Sequence, residues 1–284
     1  MNSNNFSGYE QNKKLLEKEY TELFKNNENR PDWSVKKISN PAELIHPAIP
    51  FLGKNYANTR LLLYASAENL VGYNGYLDPD LKAINRRRDF YNGSLRDYEE
   101  NNKPFFPEVH IAPVEDGSLI IVSAYILKLL GVKLDYSNPY NYLENIAIDN
   151  FCKFSIDRKK SNKDYAGNFE YIKYSLNYIK ADLKILKPDI VIMPKVIYGT
   201  GSIKQLFKEI VPDCKVIPIY QINSRNINHP KRIKRYFKKP DENIDEQFIL
   251  WQKYLSNGIT GKTNKNFNSV YTYINAVIKN IPKV

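Results

Sequence analysis

The sequence predicts an α/β protein in which a largely parallel sheet is covered by helices on both faces. Three observations predict it. "TRLLLYAS" (59–66) and "DIVIMP" (189–194) are short apolar runs with no polar face, the pattern of strands buried on both sides. Between such runs lie segments with helical stepping, clearest in residues 165–187, where Ile172, Leu176, Ile179, Leu183 and Leu186 recur by three and four. Pro and Gly punctuate the junctions, as Pro188 does after that helix and Gly131 after another.

Taken in order, residues 9–27 read as an amphipathic helix with Leu15, Leu16, Tyr20, Leu23 and Phe24 at helical spacing. "NNENRPDWS" (26–34) breaks it, and residues 59–66 form the first buried strand. Residues 74–116 are irregular and read as an insertion or long loop; 118–130 suit a buried helix stopped by Gly131. "LENIAI" is the next strand, stopping on Asp149 and Asn150, followed by the helix 165–187 and the strand 189–194. Ser202 with Gln205 three residues later predicts a capping box at the next helix. "CKVIPIY" (214–220) is a further strand, and helices at 242–256 and 266–279 close the chain. The expectation is one α/β domain over 1–284, with an N-terminal helical extension (about 1–45) and the 74–116 insertion.

Composition bounds the function. Hydrophobic content of 42% and charged content of 26% are those of a soluble globular chain. The longest apolar run, "LIIVSAYILKLL" (119–130), is broken by Lys128 and too short to span a bilayer, so no membrane partner is expected. The polar N-terminus lacks a signal peptide's apolar core, and two cysteines make neither a disulfide framework nor a metal cluster, so the expected location is the cytoplasm. The three histidines lack metal-ligand spacing, and neither a metal nor a cofactor is expected. A net charge of +11 suits an anionic partner, nucleic acid first, DNA before RNA; a lysine-rich composition can also drift basic without a partner.

Parallel sheets bind ligands at the carboxyl ends of their strands. Four segments follow strands and are expected on one rim: 64–76, 149–154, 195–202 and 221–230. Their charged and amide groups are Glu68, Asn69, Asp149, Asn150, Lys153, Lys195, Gln221, Asn223 and Arg225. Asn150 can read the edge of a nucleobase with its carboxamide, or bond its own turn. Glu68 can orient a water, or be a solvated loop charge. His229 can donate to a developing anion. Cys152 reads as a buried, inert thiol. "GTGS" (199–202) lacks the glycines and lysine of a phosphate loop and reads as a tight turn, with one phosphate on its amides as the alternative. The run 225–240 holds Arg225, Lys231, Arg232, Lys234 and Arg235 among its bases and no acid. It can track phosphates, or form a solvated helical face.

These segments, in this order, resemble the uracil-DNA glycosylase superfamily from about Phe51 to about Tyr236. The likeness is strongest in "ENIAIDNFCKF", the helix after it and "LKPDIVIMPK". It is nearest to the single-strand-selective monofunctional branch, whose corresponding strand also ends in Asn, an apolar residue and Cys. The resemblance implies a three-layer α/β/α fold around a mostly parallel sheet and an enzyme that flips a base out of DNA and hydrolyses its N-glycosidic bond. It maps the base-reading Asn onto Asn150, with Phe151 and Tyr73 completing the base-binding set. Glu68 or Ser66 would place the water, and Gln221 or His229 would stabilise the leaving anion. The catalytic motifs are degenerate: Tyr64, Ala65 and Ser66 stand where the family has its Gly-initiated loop, and Gln221 stands for its histidine. The alternatives are a nucleic-acid-binding protein without catalysis on the same scaffold, and an enzyme acting on another small substrate.

Overall fold

A computed structural model describes residues 3–30, 35–36, 43–44, 47, 49–69, 123, 126–128, 130–133, 141–156 and 172–219. Packing divides the chain into two compact units, Met1–Gly93 with Glu144–Pro218, and Ser94–Leu143 with Ile219–Val284.

The first unit is built on a five-stranded, mostly parallel sheet. In chain order the elements are α1 (Ser3–Lys25), a short antiparallel pair β1 (Val35–Lys36) and β2 (Glu43–Leu44), then β3 (Phe51–Leu52), β4 (Leu61–Asn69), β5 (Ile146–Ile156), α2 (Leu176–Leu186), β6 (Ile190–Pro194), α3 (Lys195–Tyr198), α4 (Ile203–Ile210) and β7 (Lys215–Ile219). The sheet order is β3-β5-β4-β6-β7. β4 runs parallel to both β5 and β6, and the two-residue β3 adds antiparallel to the outside of β5. β7 contains Pro218, whose missing N–H is tolerated because the strand lies at the end of the order. The α/β class and mostly parallel sheet expected from the sequence are present.

The apolar runs explain themselves by burial. Along β4, β5 and β6, alternate residues lie on opposite faces. Leu62, Tyr64, Ala147, Phe151, Val191 and Met193 join Leu16 and Tyr20 of α1 and Ile179, Leu183 and Leu186 of α2 in one core. On the reverse face Leu61, Leu63, Ile146, Ile148, Ile190 and Ile192 are buried as well. A strand buried on both sides needs no polar alternation, which is why these stretches read as continuous apolar runs.

Several boundaries differ from the sequence expectation. α1 reaches back to Ser3, and Leu15 stands 42% exposed, off the buried stripe. Asn29 docks the end of α1 by donating to Leu23 O (3.1 Å) and accepting from Asn177 of α2 (2.7 Å). The strand expected to stop at Asp149–Asn150 runs six residues further, to Ile156. Ser202 precedes α4 but makes no side-chain cap: its backbone (φ −89°, ψ 9°) is not in the extended conformation of an N-cap, and the Gln205 amide bonds Glu209 (2.9 Å). Thr200 bonds back to Val196 O (2.8 Å), and Gly201 takes φ +50°, so "GTGS" is a tight turn between α3 and α4. The 74–116 insertion and the helices at 242–256 and 266–279 lie outside the described residues.

In the second unit Gly131, at φ +78°, ends a helical turn as expected. Its N–H donates to Lys128 O (3.0 Å) and that of Val132 to Leu127 O (2.9 Å), the paired bonds of a Schellman cap.

The end of α2 uses a costlier device. Lys187 adopts the left-handed conformation (φ 46°, ψ 59°), donates to Leu183 O (3.0 Å), and precedes Pro188, which cannot extend the helix. An L-residue there is strained by roughly 1 kcal/mol. Lys187→Gly should therefore raise the unfolding free energy by about 0.5–1 kcal/mol, and Lys187→Val should lower it. Urea midpoints read both; a destabilised glycine variant contradicts the assignment.

Candidate functional site

The sequence "IDNFCK" places charged and amide groups inside an apolar strand, and the structure sends them to opposite faces of β5. Tyr64 of β4 is level with Asp149, and Ala65 is level with Asn150. Asp149 and Lys153 therefore sit with Tyr64 on the face covered by α1 and α2, whereas Asn150 sits with Ala65 on the reverse face.

On the helix-covered face the ammonium of Lys153 is fully buried. It forms ion pairs with Asp149 Oδ2 and, at 2.7 Å, with Asp182 Oδ2 from α2. Tyr64 donates to the same Asp182 oxygen (2.9 Å). Tyr20, from α1, donates to Asp182 Oδ1 at 2.7 Å and stands 3.4 Å from Asp149 Oδ2. A hydroxyl has one proton, so the shorter contact holds it. The rings of Tyr20 and Tyr64 also face the ammonium, at 5.3 and 5.5 Å from their centroids, which favours a cation. Each charge taken out of water costs several kcal/mol unless paired and hydrogen-bonded, and every oxygen here that meets the ammonium is an anion's. Burial, and after it the carboxylates of Asp182 and Asp149, raises the hydroxyls of Tyr20 and Tyr64 well above the ordinary tyrosine value. Both are held as neutral donors.

Lys153 and Asp149 were expected on the solvent-facing rim; they are core groups. The reason is the length of β5. The strand continues past Asn150, so these residues remain inside the layer that α1 and α2 cover. A register shift between β4 and β5 beyond Cys152 leaves the Lys153 N–H to the hydroxyl of Ser175 (2.9 Å). Cys152 is buried and its thiol is pushed well up by that burial, so it is no thiolate nucleophile at neutral pH.

Asn150 is 1% exposed, and its Nδ2 finds no hydrogen-bond partner among the described residues. Its position in the sheet is informative. β4 pairs Leu61–Leu63 with Ile190–Ile192 of β6. Continuing that register by two residues brings Ala65, and Asn150 beside it, level with Pro194, where β6 ends. The chain runs from β4 to β5 on one side, then crosses back over β4 to β6 on the other, so the order reverses between β4 and β6. That gap is a topological switch point, where open parallel sheets hold ligands, and Asn150 stands one strand from it, across Ala65.

The other expected site residues divide as follows. Phe151 is buried on the helix-covered face, edge-to-face with Tyr64 at 5.4 Å between centroids. Asn150 and Phe151 thus face opposite sides of the sheet. Ser66 and Glu68 are backbone members of the last four residues of β4. Lys195 is exposed at the end of β6. Tyr73, Gln221, Arg225, His229, Lys231, Arg232, Lys234 and Arg235 lie outside the described residues. Among the described residues no cluster of His, Cys, Asp and Glu is suited to a metal ion, and no helix is long and apolar enough to cross a membrane. Sequence reasoning missed Tyr20, Tyr64 and Asp182 as partners of Lys153. A signal for one existed: Asp182 stands three residues after Ile179 and four before Leu186, on the apolar stripe. No protein-family model matches this chain, and neither a curated protein nor a solved structure does.

Two outcomes follow from the buried cluster. Lys153→Met strands two carboxylates in the core and should cost about 3–5 kcal/mol in urea denaturation; a loss under about 1 kcal/mol contradicts the pairing. The tyrosines give a pH signature. Tyr20, Tyr56 and Tyr64 all have raised values, each chiefly from burial, so above about pH 10 the unfolded chain loses protons that the folded chain keeps. Their contribution is complete below pH 10 and is lost as the pH rises beyond it. Absorbance at 295 nm should show part of the 22 tyrosines ionising only together with unfolding; smooth titration of all of them in the folded protein contradicts it.

Proposed function

We propose that this chain is a uracil-DNA glycosylase-like protein that reads a nucleobase with Asn150 and hydrolyses the N-glycosidic bond of a modified base in DNA. The observation that carries the reading is the buried Nδ2 of Asn150, which has no partner among the described residues and stands beside β4, one strand from the topological switch point. A buried amide left without an acceptor costs about 1–3 kcal/mol. A carbonyl oxygen on a planar guest supplies the acceptor, and a flipped base presents one. The strand–Asn–helix–strand order around Asn150 supports the resemblance, as does the placement of Ser66 and Glu68 on β4 just past Ala65, its neighbour.

A second reading, nucleic-acid binding without catalysis, is favoured by a different observation. Tyr64 and Ala65 occupy two of the places where the family begins its water-handling loop. Here they are buried strand residues, and Tyr64 is committed to Asp182. An oriented water and a donor to the leaving base each lower the barrier, so recruiting neither leaves binding alone.

Oligonucleotides carrying uracil, hypoxanthine or xanthine distinguish the two. Abasic product on any of them, reduced at least about 100-fold by Asn150→Ala, is the expected result. Salt-dependent binding with no product moves the conclusion to the second reading. Undetectable binding to single- and double-stranded DNA and RNA at low salt overturns both.

A further inference from the structure

We infer that Asp149 is a positioning residue for Asn150, and that the N-terminal helix α1 sets the base-reading amide through Tyr20. The inference rests on the base-reading role proposed for Asn150 and concerns how that site is held and regulated.

Gly53 N–H donates to Ile146 O (2.9 Å), so the peptide groups of Ile146, Ile148 and, by alternation, Asn150 turn toward β3. But β3 begins at Phe51, opposite Ile148. The N–H of Asn150 emerges past that ladder, and the carboxylate of its own neighbour takes it: Asn150 N–H donates to Asp149 Oδ1 at 2.7 Å. A side chain takes the place of a strand partner at the residue whose own carboxamide nitrogen has no partner among the described residues.

Asp149 can fix its neighbour only as well as it is itself fixed. Its second oxygen accepts the Lys153 ammonium, which Asp182 of α2 holds from the other side (2.7 Å). Tyr20 of α1 closes the loop by donating to Asp182 Oδ1 while lying 3.4 Å from Asp149. The polar bonds that pin the Asn150 backbone on one face of the sheet thus end in α1, and the Asn150 side chain stands on the other face. Displacing a recognition group by 1 Å can cost about 100-fold. Loosening α1 therefore loosens base reading without touching any residue that meets the base.

The test uses full-length wild type, Tyr20→Phe, Asp149→Asn and Asn150→Ala. Each is titrated with a single-stranded oligonucleotide carrying one uracil and with the same oligonucleotide carrying a tetrahydrofuran abasic site. Tyr20→Phe removes one hydroxyl and keeps the ring, so it stays foldable where Asp149→Asn fails to fold. The expected result is a fall of about tenfold in the uracil preference of Tyr20→Phe, with abasic-oligonucleotide binding and its salt dependence unchanged. Amide exchange at Asn150, read by NMR, should accelerate by a similar factor relative to Ile148, which general destabilisation does not produce. An unchanged preference in folded Tyr20→Phe, when Asn150→Ala abolishes it, overturns this inference and leaves the base-reading role standing. A wild type with no preference for uracil, nor for hypoxanthine or xanthine in its place, overturns the role, and this inference with it.

Discussion

A lysine whose ammonium never reaches water must be surrounded by anions, with donors to hold those anions in place, and satisfying Lys153 organises the first unit. Its carboxylate partners come from its own strand and from α2, and the hydroxyls that support them come from α1 and β4. Apolar burial alone lets a helix slide or rotate on a sheet at modest cost. A cluster of directional, charge-assisted bonds does not, since a shift of α2 by a residue takes Asp182 from the buried ammonium and a shift of α1 takes a hydroxyl from Asp182. Replacing such a group by well-packed apolar side chains is often neutral or stabilising, so its contribution lies in register rather than in gross stability.

That constraint has a counterpart on the other side of the sheet. One strand carries Asp149 into the charge cluster and, one residue later, carries Asn150 into the reverse face. Alternation along β5 lets two adjacent side chains serve different tasks, one holding the fold and the other carrying an unspent donor. The short β3 is part of the arrangement, because its limited length leaves the Asn150 N–H for Asp149.

The parallel strands were legible because burial on both faces produces uninterrupted apolar runs, as in Leu61–Leu63 and Ile190–Met193. The α2 stripe was legible because Ile179, Leu183 and Leu186 repeat at helical spacing. Gly131 was legible as a stop because a positive φ suits glycine. The extent of β5 was not legible. Charged residues inside a strand ordinarily mark its end, and only a partner distant in sequence reverses that meaning. Lys153 needs Asp182, 29 residues on, and Asp182 needs Tyr20, 162 residues away. Pattern reading treats each charge by itself, so it assigns both Asp149 and Lys153 to solvent. A carboxylate on the α2 stripe and a lysine four residues after Asp149 in an otherwise uncharged strand were the two anomalies that, taken together, marked an internal pair. The missing capping box at Ser202 has local causes, since its backbone is not extended and Gln205 finds Glu209 one helical turn away.

Tyr20 and Asp182 act as a unit that fastens α1 to the sheet and α2. A double-mutant cycle on stability, with Tyr20→Phe, Asp182→Asn and both together, measures that directly. The two substitutions should couple by about 1 kcal/mol or more, as expected for a buried hydrogen bond to a charged acceptor. Additivity within about 0.5 kcal/mol would contradict it, leaving the hydroxyl and the carboxylate as independent neighbours.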